Sequence, residues 1–254
     1  MLLSRLLTEG DGGGWIWLVQ WVAMGPIFVE AFARARTLER AMAGAVVAAL
    51  ILQVALISVR ALEWGQSPWA LLREGIEAAI RRSLQAYGGM GMGPEGVRRL
   101  QDAAPAMAHA MATLVPGLFV SMDLLLHWWT LLVNRRVSAL WGGPAPGPDS
   151  LGAWGIPYPW VWLTILGGIL ALLPGDIAPA VGINMLLVMG TVHFLQGIAV
   201  VSTLFHQRRI RPFFRGAVYT LIFLQQVFLL GVMAIGLFDL WFDFRRRWGA
   251  AVEG

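Results

Sequence analysis

Apolar runs recur along the chain between residues 15 and 238, each roughly as long as a helix must be to cross a hydrocarbon core, and polar residues collect between them. Six runs are predicted as membrane-spanning helices: residues 15–32, 41–59, 106–133, 158–174, 178–205 and 216–238. The second contains Ala41, Ala45 and Ala49 at four-residue steps, a smooth face for close helix packing. Pro116 followed by Gly117 predicts a kink in the third. Tyr158, Trp160 and Trp162 open the short fourth run as an aromatic interfacial start.

One polar region is long enough to fold as an insert, residues 60–104. Ser67 before Pro68 reads as a helix start, because serine caps free amides and proline fits a first turn. Trp69, Leu72, Ile76, Ile80 and Leu84 then fall on one face and Arg73, Glu74, Glu77, Arg81 and Arg82 on the other, so residues 67–87 are predicted as an amphipathic helix at the membrane interface or packed as a lid. The run GGMGMG ends it, Pro94 begins a second short helix, and Pro105 opens the third span. Residues 134–158 include WGGPAPGPDS, a Pro/Gly-rich loop, and residues 239–254 form a basic tail. The fold class is therefore all-α: one polytopic transmembrane bundle over residues 1–254, with about six spans and an amphipathic helix between the second and third.

Composition agrees. Hydrophobic residues make up 57% and charged residues 13%, and the mean hydropathy is +0.66, all outside the usual range of soluble domains. All 19 basic residues are arginine, placed in twos and threes beside apolar runs rather than as one basic surface, which argues against nucleic-acid binding. Absence of cysteine excludes disulfides and thiol chemistry. The opening MLLSRLL is too short for a signal-peptide core, so the first span is expected to act as its own insertion signal. Arginine-bearing loops follow spans one, three and five, which puts those loops in the cytoplasm, whereas Arg245, Arg246 and Arg247 would then lie on the opposite side.

Ionisable and amide side chains within spans mark candidate sites, because hydrocarbon penalises them. Asp123 and His127 lie one turn apart, a spacing at which a carboxylate can hold an imidazole; Asn184, His193 and Gln196 stud the fifth span among glycines. These five residues are the candidate ligand set, and a pocket is expected between the third and fifth spans. Gln53, Gln225 and Gln226 are read as interhelix hydrogen-bonding residues. No catalytic or metal-binding pattern is found: HExxH and GxSxG are missing, and Leu173 stands where an intramembrane aspartyl protease would carry the first glycine of GxGD. No cofactor is expected. In GLFDLWFDFRRRW, residues 236–248, Asp239, Asp243 and Arg247 are spaced to pair along a helix, while Trp241, Arg245 and Arg246 join them as an anchor at the membrane boundary or a surface for a partner.

The segments NMLLVMGTVHFLQGIAVVSTLFHQRRIRPFFR and GLFDLWFDFRRR, within residues 184–247, resemble the carboxyl half of the YybS-like bacterial membrane proteins, the family DUF2232. FARARTLERA resembles that family's basic turn after a proline-containing helix, although members usually carry further hydrophobic segments before it, and an aromatic residue where this chain has His193. The family is similar to the substrate-binding S-components of energy-coupling-factor transporters. The resemblance implies a multi-pass protein of the bacterial inner membrane that binds a small-molecule ligand and works with an energising module of a transmembrane partner and ATPases. Under it, the Ala41, Ala45 and Ala49 ladder resembles the face by which S-components dock. The alternative from another class is a membrane scaffold that holds partners through its insert and tail.

Overall fold

The computed structural model describes residues 14–35, 37–89, 93–142, 151 and 154–245. Among them are eight α-helices and no strand: α1 Gly14–Arg34, α2 Leu38–Glu63, α3 Pro68–Gly89, α4 Pro94–Trp141, α5 Val161–Leu172, α6 Ile177–Gln207, α7 Pro212–Leu224 and α8 Gln226–Phe242. A short 3-10 turn, Tyr158–Trp160, leads into α5.

Among the described residues three helices are long and apolar enough to cross a membrane, in α2, α4 and α6, or four if the bent pair α7 and α8 counts as one broken span. By this measure the described residues supply three or four of the roughly six spans expected. Helix α5 rises only about 18 Å in its 12 residues, short of a core about 30 Å thick. The expected sixth span is interrupted at Gln225, where α7 and α8 meet at 104°. Gln225 leaves helical geometry at φ −116° and ψ 114°, and the expected interhelix roles of Gln225 and Gln226 are not seen, since both are exposed.

The amphipathic insert forms as expected in its centre and differs at its edges. Ser67 Oγ accepts from the Ala70 amide at 3.1 Å, capping α3, and Arg81 pairs with Glu77 at 3.6 Å. Ile80 and Leu84 are buried with Ala108 and packed by Ile76, Leu100 and Ala104, so α3 lies against the amino-terminal part of α4. Trp69 sits outside this seam, 47% exposed. Residues 60–63 belong to α2, and residues 94–104 to α4, which runs unbroken for 48 residues through Pro105 and Pro116. Pro94 is thus the first turn of α4 rather than of a separate helix, and Pro105 does not open a span. The same helix continues to Trp141, so the loop expected from residue 134 starts later; residues 143–150 fall outside the described residues, as do 1–13 and most of the tail.

Ala41, Ala45 and Ala49 are at most 3% exposed, which seats the ladder inside the bundle, and Leu38, Met42 and Phe28 join the main core with Trp128, Leu131, Phe194 and Leu195. An alanine face already covered by its own chain is not open to a docking partner. Gly117 meets Asn184, and residues 125–132 face residues 194–202, so α4 and α6 run in the same direction. The return between them is made by residues 154–172: Thr164 reaches His193 and Gly167 reaches Gly182, which sets α5 antiparallel to α6. Helix α7 also runs back along α6, with Tyr219 against Phe205 and Phe223 against Phe194, and α8 then crosses α6 where glycines let the backbones meet. At that crossing Gly197 lies against the Val232 backbone and Gly236 against the His193 backbone.

Candidate functional site

Asp123 and His127 project from the middle of α4 toward α2. Asp123 is 1% exposed, and the Gln53 amide donates to both of its oxygens at 3.0 Å. The expected pairing of its carboxylate with the imidazole does not occur. His127 Nδ1 instead donates to the backbone carbonyl of Asp123 at 2.8 Å, since a carbonyl can only accept. One helical turn brings the imidazole to the carbonyl four residues back while the carboxylate points across to the neighbouring helix. His127 Nε2 and Ser121 Oγ are buried without a partner among the described residues.

Asn184 serves another purpose. Its Oδ1 accepts from the Gly117 amide at 2.5 Å, and its Nδ2 donates to the Thr113 carbonyl and to the Ala180 carbonyl, each at 2.7 Å. A Cβ on Gly117 would lie 2.7 Å from Asn184 Oδ1, so glycine is what permits this approach.

His193 and Gln196 occupy another side of α6. His193 Nε2 lies 2.8 Å from Thr164 Oγ1 on α5, while its buried Nδ1 has no partner among the described residues. Gln196 donates to Asp239 Oδ2 at 3.2 Å and accepts from the Ile156 amide at 3.4 Å. Asp239, 8% exposed, receives Arg245 Nη2 at 2.7 Å and Nε at 3.2 Å on one oxygen and the Phe244 amide at 3.0 Å on the other. Arg245 also donates to the Trp154 carbonyl at 2.6 Å, and the Trp154 indole donates to Glu39 at 2.7 Å.

Asp239 is thus engaged by Arg245, Phe244 and Gln196 and not by the ladder expected with Asp243, while Arg247, the third member of that expectation, lies outside the described residues. Helix α8 ends at Phe242, and Asp243, exposed and left-handed at φ 44°, turns the backbone so that Arg245 folds back onto Asp239. Asp239 is therefore tied to the middle of α6 rather than to its own helix. Trp241 is 48% exposed and stacks edge-on with Tyr158, 6.3 Å between centroids. Arg246 and Arg247 lie outside the described residues.

A cavity of about 620 Å³ opens between α4, α6 and α7, where the two parallel helices leave room beside α7. Its wall is Leu125, Leu126, Trp128, Trp129 and Leu132 of α4, Phe194, Leu195, Ile198, Ala199 and Ser202 of α6, Tyr219 and Phe223 of α7, and Leu151. The cavity lies between α4 and α6, and its wall differs from the five residues expected as a ligand set. None of Asp123, His127, Asn184, His193 and Gln196 is part of its wall: Asp123, Asn184, His193 and Gln196 each bond a side chain or backbone group of another element, and His127 bonds the carbonyl of Asp123 on its own helix. The adjacent tryptophans of LLLHWWTLL were the sequence signal for the cavity, but a tandem pair in a span reads equally as lipid-facing. Among the described residues no three His, Asp or Glu side chains converge as a metal site.

No curated protein and no solved structure matches the chain. The sequence profile described as Predicted membrane protein (DUF2232) matches residues 9–240. Nearly the whole length of the apolar helical chain described above, including α4, α6 and the crossing α8, falls within that match, and the protein belongs to this family of membrane proteins.

Proposed function

We propose that the chain is a substrate-binding, transport-associated subunit of a bacterial cytoplasmic membrane, energised by separate proteins rather than by an ATPase of its own. The observation that carries the reading is the cavity of about 620 Å³ between α4, α6 and the shorter α7, within the range of small-molecule sites and walled on two sides by the spanning-length helices α4 and α6. Ligand-release mass spectrometry on detergent-purified protein tests it. A small molecule retained by the wild type and missing from Ala199→Phe supports binding at this cavity. A preparation that holds no small molecule but a stable protein partner would overturn it.

That second outcome belongs to the scaffold reading, which has its own observation. Helix α4 rises about 72 Å over its 48 residues, more than twice a hydrocarbon core, and α3 packs on its amino-terminal part. The excess length makes a helical hairpin whose outer surface carries the exposed Arg73 and Arg82, suited to an acidic partner surface, beside Arg99, which pairs with Glu95.

A further inference from the structure

We infer that the cavity takes the hydrocarbon chain of a membrane amphiphile, which enters sideways from the bilayer; this rests on the substrate-binding reading above. Its wall carries no charge and no amide side chain. The acidic and amide groups nearest in sequence are committed elsewhere, Asp123 to Gln53, and Gln196 to Asp239 and Ile156, while His127 and His193, each with one unpartnered ring nitrogen among the described residues, are not part of the wall. A water-soluble, charged ligand would lose its hydration in such a place and find no opposite charge and only two hydroxyls in return, so each further polar group it carries weakens binding. A hydrocarbon chain loses nothing there and meets the ring faces of Trp128, Phe194 and Phe223.

Access and direction follow from the same residues. Trp129 is 65% exposed and Phe223 68%, although both line the cavity, so its mouth is made of apolar side chains that face outward. An apolar mouth between the spanning helix α4 and the first half of the bent pair α7 and α8 opens to lipid, not to water. The two side-chain hydroxyls of the wall, Ser202 and Tyr219, lie toward one end, since Ser202 is the last lining residue of α6 and Tyr219 packs against Phe205 beyond it. Neither hydroxyl has a hydrogen-bond partner among the described residues. The other end, with Leu125, Phe194 and Phe223, is wholly apolar. An amphiphile with a small hydrogen-bonding end beside Ser202 and Tyr219, and its chain running toward Phe194, fits that polarity.

The test uses hexadecanol carrying a diazirine in its chain, added to the full-length protein in phosphatidylcholine vesicles, with photolabelled peptides mapped by mass spectrometry. Expected is labelling focused on Trp128, Trp129 and Phe223, above that of the outward residues Val47, Ile51 and Val54 of α2, and competed by unlabelled hexadecanol. Filling the cavity by Ala199→Phe, or from its exposed edge by Ser202→Trp, lowers the focused labelling about tenfold or more and leaves α2 unchanged. Labelling spread evenly over α2 and the cavity, or insensitive to both competitor and filling, overturns the inference. If neither variant folds, the wild-type competition decides alone, and uncompeted labelling overturns it. A charged, water-soluble molecule released from the wild type and displaced by both variants would sink the hydrocarbon class while the substrate-binding reading stood. Neither a released molecule nor focused labelling would sink both.

Discussion

The side chain of Asn184 bonds the backbone of Gly117 across two helices, and with it the partner that Gly117 would ordinarily have. Gly117 and Thr113 form the i, i+4 pair beside Pro116, and the Asn184 carboxamide accepts from the first at 2.5 Å and donates to the second at 2.7 Å. Pro116 lacks an N–H and its ring crowds the carbonyl four residues back, which loosens the helix at this turn. An amide from α6 fills the role that water or a serine would take elsewhere in a membrane helix. The α-helix runs on through the proline.

Asn184→Leu should therefore cost about 1–3 kcal/mol, since it strands backbone groups in an apolar setting. Asn184→Asp keeps the acceptor for Gly117 and loses the donor to Thr113 and Ala180, so it should also destabilise. Thermal or chemical unfolding in detergent checks the order; an unchanged Asn184→Leu would mean that the turn at Pro116 needs no partner.

The pair formed by Gln53 and Asp123 is expected to behave as a buried hydrogen-bonded unit. Asp123→Ala alone leaves the Gln53 amide unsatisfied and should destabilise by about 1–3 kcal/mol, whereas Gln53→Leu with Asp123→Leu should lose much less. A double-mutant cycle on unfolding free energy measures the coupling. If the double variant folds well but any transport activity is lost, the pair is retained for function rather than for stability.

Removing Arg245 should cost about 3–5 kcal/mol, because Asp239 would remain buried without its cation. Asp243→Asn should change stability by no more than about 0.5 kcal/mol, as the side chain is exposed and asparagine accepts a left-handed backbone. Equal effects of Arg245→Ala and Asp243→Asn would contradict the fold-back of the tail onto α6.

Glycines separate into two groups. A methyl group on Gly236 or Gly197 runs into backbone atoms of the facing helix, so Gly236→Ala and Gly197→Ala should each destabilise by about 2 kcal/mol or more and loosen α8 from α6. A methyl group on Gly168 or Gly231 would meet no neighbouring element, and alanine there should be neutral or stabilise by up to about 1 kcal/mol through helix propensity. Melting temperatures of the four variants in one detergent provide the comparison.

Cysteine scanning along α3 should show slow labelling at Ile80 and Leu84 and fast labelling at Arg73, Arg81 and Trp69. Fast labelling at Ile80 would mean that α3 is not packed on α4.

Periodicity and composition alone determined the membrane class, the helical fold, the amphipathic seam of Ile76, Ile80 and Leu84, and the helix start at Ser67. Each of these depends on residues within a turn or two of one another, or on total apolar content, and both are written along the chain. Tertiary structure decided the rest. Pro105 looks like a helix start because it lacks an N–H, yet α4 continues through it where Ala104 and Ala108 are packed against α3. Gln225 carries no breaker signal, and the 104° turn there comes with the crossing of α8 over α6 at Gly197 and Gly236. The polar residues stood out in the sequence, but the direction of each followed from its neighbour: Asp123 from Gln53, Asn184 from Gly117, Asp239 from Arg245 and Gln196. Once those groups had turned to their partners, the space left between α4, α6 and α7 was lined by hydrocarbon and rings, because a buried polar side chain goes where a partner is and apolar ones line what remains.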